Sequence, residues 1–432
     1  MATSSGTPRV APPLPPGVGL AGASAPPFIL PGEHFAAATL FLLVGAYALV
    51  WLAPQLAGGF FLMSQVTGSA HFFTLGWLTT SIMGALYQLL PVVLAQPIRS
   101  QRAAHASFWL FVPGLAAFIG GLLGGVHALM LAGAALFGTG VLVFNVNLGL
   151  TLKRASDRGL TWWALLLADV FLFITLVLGL ALAGNLRWGY LGGGRLDALA
   201  THMHVALAGW VLLVAIGVGQ RLLPMFLLTH GVGERWGRIA VTLVAGGAGV
   251  LAVLHHAPWA ISRGLPLLLV VAGLAAFLVQ ARQFYAKRVK PKLDAGMRLA
   301  AAGLLLLGFG LLLAPFVVLV GASARLATAY GLALVLGLSL FVAGHYYKIL
   351  PFLVWYHRFG PLAGKRPVPR VAELYDGRLA HAAAGLLALG AFGLVFAVGF
   401  GSAAAARAAA VLFAAGASIE AVQMLFIARR QP

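Results

Sequence analysis

The chain reads as a succession of apolar runs, each about 20 residues long, separated by short polar connections that carry most of the charge. A helix rises about 1.5 Å per residue, so such a run matches the about 30 Å hydrocarbon core of a bilayer. The pattern predicts twelve helices near 33–54, 69–92, 106–125, 127–151, 161–184, 199–226, 236–256, 262–283, 298–320, 325–352, 379–399 and 404–428. The connection at 124–127 is the shortest of these. Residues 1–32 are rich in Pro, Ala, Gly and Ser and lack the order of a cleaved leader. A disordered tail is expected there, followed by a single transmembrane domain over 33–432.

One phrase recurs within this pattern. Residues 71–91 read HFFTLGWLTTSIMGALYQLLP and residues 204–224 read HVALAGWVLLVAIGVGQRLLP. Each runs from a histidine to a proline 20 positions later, with Gly76-Trp77 or Gly209-Trp210 following five residues after the histidine. A second glycine, Gly84 or Gly217, precedes the proline by seven. A third copy ends GHYYKILP at 344–351, and there Gly331 stands at the histidine position. Pro91, Pro224 and Pro351 lie 133 and 127 residues apart, which is the length of about four helices. The chain therefore divides into units near 33–155, 160–290 and 298–430, with the phrase on the second helix of each.

Composition fixes the class. With 61% hydrophobic and 9% charged residues, the fold class is all-α and the chain is a polytopic membrane protein whose first partner is the lipid bilayer. Its 55 glycines allow close helix contacts in lipid, where no hydrophobic effect drives association. The absence of cysteine excludes disulfides, iron–sulfur clusters and thiolate-held metals, leaving His, Met, Tyr and carboxylate as ligands.

The net charge of +19 is a topology signal, and nucleic acid is not an expected partner. Basic residues cluster after the even-numbered helices, as Arg99 and Arg102, Lys153, Arg154 and Arg158, or Lys365, Arg366 and Arg370. The connections after odd-numbered helices hold at most two, such as Arg187 and Arg195. The positive-inside rule puts both termini in the cytoplasm of a bacterial-type inner membrane.

That orientation brings His71, His127, His202, His204, His255 and His256 to one depth near the outer face. At such a depth a histidine can simply be an interfacial polar residue. Repetition of His71 and His204 at equivalent positions argues for an inward role, and imidazole is the usual ligand for heme iron and copper where thiols are absent. His202 and His204 are two apart and point about 200° from one another on a helix. The repeat alignment selects His204 as the one that shares an interior with His71.

The His255-His256 pair reads either as copper ligands at the end of the seventh helix or as a solvent-facing turn. The glycines of the repeated phrase suit the flat walls a porphyrin needs. Gln88, Arg221 and Lys348 align near the cytoplasmic ends, as snorkelling groups or as contacts for propionates or protons. Asp169 and Glu420 are the intramembrane carboxylates, too far apart in sequence to define a pathway. No Walker loop, Ser-His-Asp triad or dinucleotide fingerprint is present.

Three groups of four helices, cytoplasmic termini and outer histidines on helices two, six and seven together resemble the catalytic subunit (subunit I) of heme–copper oxidases. The likeness covers roughly 33–428 in topology and is motif-level in sequence. The chain also looks like short stand-alone relatives of that subunit and, distantly, like NnrS-type heme and copper membrane proteins. The resemblance implies that His71 ligates a low-spin heme and that His204, His255 and His256 hold copper. A b-type heme is expected, and His202 is a further candidate metal ligand that otherwise faces a neighbouring helix or water.

The oxidases also carry two histidines at the outer start of helix ten, where this chain reads ASARLATAYGLALVLG over 322–337. His345 lies about 14 residues beyond Gly331, some ~20 Å further along the helix. The glutamate expected beside His204 is replaced by Val205, Ala206 and Leu207. The expectation is a divergent relative without a full oxygen-reducing centre, which holds one heme through His71 and a second ligand such as His204, with or without copper, or a copper site alone, or no cofactor. Such an oxidoreductase would be redox or nitric-oxide related. Its electrons would come from a respiratory partner subunit, another electron donor or quinol. Two other readings stay open: a transporter or channel with breaks near Pro91, Pro224 and Pro351, and an assembly factor for a respiratory complex.

Overall fold

The computed structural model describes residues 26–254, 260–319 and 323–432. Twelve helices follow in chain order, and the described residues include no strand. They are α1 (Ile29–Gly58), α2 (64–93), α3 (Gln101–Gly124), α4 (His127–Arg154), α5 (Leu160–Trp188) and α6 (Gly192–Leu227). There follow α7 (Arg235–Leu254), α8 (Ser262–Ala286), α9 (Ala295–Leu319), α10 (Ala324–Leu362), α11 (Gly377–Gly399) and α12 (Ala403–Arg429).

Eleven of these helices are long and apolar enough to cross a membrane. The twelfth, α2, is just as continuous but is interrupted by Ser64, Thr67, Ser69, His71, Thr74, Thr79, Thr80, Ser81 and Gln88. Five of these polar side chains, Ser69, Thr79, Thr80, Ser81 and Gln88, are buried.

Local chemistry sets the ends. Ser100, Ser323 and Ser402 cap α3, α10 and α12 through their hydroxyls, and the Asp376 carboxylate accepts from two amides at the start of α11. The short 124–127 connection is a true corner, because Gly125 adopts φ 69° and so ends α3 one residue before Val126 leads into α4. The seventh helix, expected to reach residue 256, is described to Leu254.

Packing is close where glycines face a neighbour. A Cβ on Gly133 of α4 would lie 2.2 Å from the Phe118 amide nitrogen of α3, and one on Gly121 would lie 2.3 Å from that of Met130. Such backbone contact replaces the missing hydrophobic drive between helices in lipid. α3 packs on α4, α7 on α8, α9 on α10 and α11 on α12, while α12 also closes against α1.

The second helices of the three units, α2, α6 and α10, meet one another at the centre. Accordingly, 61% of the apolar windows of α6 and α10 is buried, against 33–50% for the other nine spans of this type. Trp210 of α6 donates its indole N–H to Thr79 Oγ1 of α2 at 3.1 Å. Trp77 of α2 packs on Tyr346 of α10 with ring centroids 4.7 Å apart.

The glycines of the repeated phrase have a different role from the one expected of them. Gly76 and Gly209 seat Phe41 of α1 and Phe171 of α5, where a Cβ would come within 2.5 and 2.7 Å of the rings. Gly84 and Gly217 likewise receive His34 of α1 and Ala164 of α5 at 2.6 and 2.5 Å. They fit the first helix of each unit against the second, so they do not form the walls of a cavity.

Candidate functional site

Directly after both repeated histidines the helices widen. Over Phe72–Thr79 and Val205–Leu212 the backbone winds as a π-helix, with bonds from i to i+5. The Thr79 and Thr80 hydroxyls donate to the Thr74 and Leu75 carbonyls at 2.8 and 3.0 Å, supporting the wider turn. Helical segments of this kind recur at functional sites. α10 has no widening beside Gly331; its π-helical turn lies at Trp355–Phe359.

Beside these turns a cavity of ≈ 140 Å³ opens between α2 and α6, closed off by α3, α4 and α5. It sits in the half of the bundle opposite Ile29 and Arg429, where α1 begins and α12 ends. Most of its wall is leucine, valine, alanine and phenylalanine. His71, His202 and Arg195 are its ionisable groups, beside the hydroxyls of Ser64, Thr67, Thr74, Thr79 and Thr175.

His71 is fixed by one ring nitrogen and leaves the other free. Its Nδ1 bonds the Thr67 carbonyl one turn earlier at 2.8 Å, which fixes the ring and leaves Nε2 for the cavity. Phe118 closes against the ring edge-on at 5.1 Å.

His202 faces His71 from α6. Its Nδ1 is buried without a partner of hydrogen-bond geometry, although the Thr175 carbonyl lies beside the ring. Gly179 of α5 makes room for it, since a Cβ there would stand 3.0 Å from His202 Cε1.

His204 is turned elsewhere. Its Nδ1 bonds the Ala200 carbonyl at 2.8 Å and its Nε2 meets the Tyr330 hydroxyl of α10 at 3.1 Å. The His204 and Tyr330 rings stack with centroids 5.8 Å apart. The structure therefore pairs His71 with His202, where the repeat alignment had favoured His204. The reason is rotational: an equivalent side chain on each central helix looks toward the next one, so His71 looks to α6 and His204 to α10. His202, about 200° around α6 from His204, looks back to α2.

His255 and His256 lie outside the described residues. Among the described residues, no three His, Cys, Asp or Glu side chains converge as a metal-binding group. Arg221 reaches Asp157 at 3.9 Å and Lys348 pairs with Asp294, each acid standing just ahead of the first helix of its unit. Gln88, the third aligned position, is buried. The two cations are thus tied to connections at the end of the bundle that carries the termini.

Asp169 receives the Asn145 amide on both its carboxylate and its backbone carbonyl, at 2.8 and 2.7 Å, and so joins α5 to α4. Glu420 of α12 is buried with neither oxygen hydrogen-bonded.

Sequence reasoning passed over Tyr330, Thr175, Arg195 and His34. Tyr330 alone carried a signal, being next to the position where the third repeat drops its histidine. The sequence matches no protein-family model and no curated protein.

Proposed function

We propose that the chain is an integral membrane heme-binding protein, redox or nitric-oxide related, in which His71 and His202 hold the iron from opposite walls of the α2–α6 cavity. One observation carries this reading: two central helices direct imidazoles into the same apolar cavity, one with its free Nε2 set by a backbone bond. The donor set suits heme iron, for which neutral imidazoles are ordinary axial ligands. The orphaned His202 nitrogen and the space left by Gly179 agree with a ring placed for a purpose other than packing.

Room is the counterweight. Pockets for ligands of this size run about 300–1,000 Å³, so entry of a porphyrin requires wall side chains such as Leu75, Leu172 and Leu176 to turn aside. When bound, the heme would supply one-electron chemistry. The chain supplies the ligands, a dry apolar wall that excludes water, and Arg195 at the rim as partner for a propionate.

The likeness to the heme–copper oxidase catalytic subunit supports the reading in topology. A copper site would need His255 and His256, because the His204 nitrogens are both engaged within the protein. A transporter remains the second reading. Its natural pathway would run past the aligned polar positions Gln88, Arg221 and Lys348, but the Arg221–Asp157 and Lys348–Asp294 pairs hold two of these three at connections.

The test is an optical spectrum of detergent-purified protein from a heme-replete host, oxidised and dithionite-reduced. A Soret band with a reduced alpha band, lost in His71→Ala, is expected. A folded protein without either band overturns the heme reading, and elemental analysis for copper then separates a copper protein from a transporter.

A further inference from the structure

A second cavity, of ≈ 70 Å³, lies among α2, α6 and α10 on the side of the termini. Ser81, His345 and Tyr346 are its polar lining, in an otherwise aliphatic and aromatic wall. The Ser81 and Tyr346 hydroxyls bond at 2.7 Å. Behind Tyr346 stands Glu420, whose charge would be felt by both the Tyr346 and Tyr347 phenols.

From Tyr347 the line of polar groups continues outward. Its ring packs on Tyr375 with centroids 5.5 Å apart, and Tyr375 lies within range of the Asp294 carboxylate that pairs with Lys348. Burial, reinforced by Asp294, pushes the Tyr375 phenol up to about 12, so it stays a hydroxyl at neutral pH. Asp294 is more than a third exposed.

We infer that Glu420 is the proton-binding group of a buried polar chain, running from Asp294 at the termini side through Tyr375 and Tyr347 to Glu420, and on through Tyr346 to Ser81 and the central cavity. A buried, unpaired carboxylate is costly, so the group is held as the neutral acid and can accept and release a proton only along such a chain.

Among the described residues, no side chain pairs with Glu420 or hydrogen-bonds it as a fixed ion. From α10, the Tyr346 and Tyr347 phenols lie within electrostatic range of it. α1 brings Tyr47, whose hydroxyl is on Ser418 at 3.1 Å. α11 meets α12 through Ala383, Leu387 and Gly390. The Tyr347 hydroxyl and both Glu420 oxygens are buried without protein partners. Water is the usual partner of such atoms and the usual link in a proton chain.

This inference stands apart from the heme reading and is tested without cofactor. Infrared spectra of the reconstituted protein should contain the carbonyl stretch of a protonated carboxylic acid, lost in Glu420→Gln. The band should shift promptly on transfer to deuterium oxide, and Tyr347→Phe should slow that shift several-fold while Gly120→Ala, which meets nothing within 4 Å, leaves it unchanged. If Glu420→Gln fails to fold, dicyclohexylcarbodiimide labelling of the unsubstituted protein replaces it, with an adduct at Glu420 expected by mass spectrometry. Absence of both band and adduct overturns the inference. So does a band that stays unshifted for hours in deuterium oxide, or a shift that Tyr347→Phe leaves at its original rate.

Discussion

A separation of two residues decides which imidazole of α6 meets α2. His202 and His204 share a helix, a depth and a residue type, yet one faces a cavity and the other a tyrosine. The sequence made His71 legible as a candidate, because it repeats at His204. It hid the partner, since repeat-equivalent residues in a closed ring of units point in the same rotational sense and therefore away from one another.

Thr175 and Gly179 were illegible for a simpler reason: they act through α5, and nothing in their own spacing marks them. Gly179→Val is expected to lower heme content by displacing the His202 ring, whose Cε1 a Cβ would meet at 3.0 Å. The pyridine hemochrome assay on purified protein measures it. Tyr330→Phe removes only the bond to His204 and should leave heme content unchanged.

At the scale of elements, the twelve helices followed from run length, including α2, whose polar residues weaken its apolar signal although five of them are buried. The glycine pattern was visible, but its use was not, because a glycine at a helix contact and one at a cavity wall look alike in sequence. The structure separates them by what a Cβ would touch.

Gly133→Ala forces a methyl toward the Phe118 amide at 2.2 Å and should destabilise by about 1–3 kcal/mol, as overpacking does. Gly120→Ala meets nothing within 4 Å and should be neutral or slightly stabilising through helix propensity. Thermal denaturation in one detergent compares the two. Arg221→Gln breaks a half-exposed pair at 3.9 Å and is expected to cost under about 1 kcal/mol in the same assay.

At the scale of the whole molecule, three units place their second helices at a common centre and wrap the others around it. Composition and the repeat spacing reveal the units; which central helices enclose a cavity depends on side-chain volumes that no periodicity encodes. The charge pattern predicts that the end of the bundle where α1 begins and α12 ends faces the cytoplasm. Because the chain has no cysteine, single cysteines can test that without background. An impermeant maleimide should label Gly193→Cys in intact spheroplasts and Arg366→Cys only after lysis, and the reverse pattern would invert the orientation.

The pairing of His71 with His202 is the central claim, and electron paramagnetic resonance of the ferric protein tests it most directly. The account predicts a low-spin signal of two axial imidazoles that converts to high spin in His202→Ala and persists in His204→Ala. A low-spin signal that survives in His202→Ala and is lost in His204→Ala would contradict it, as would the absence of any heme signal from the folded protein.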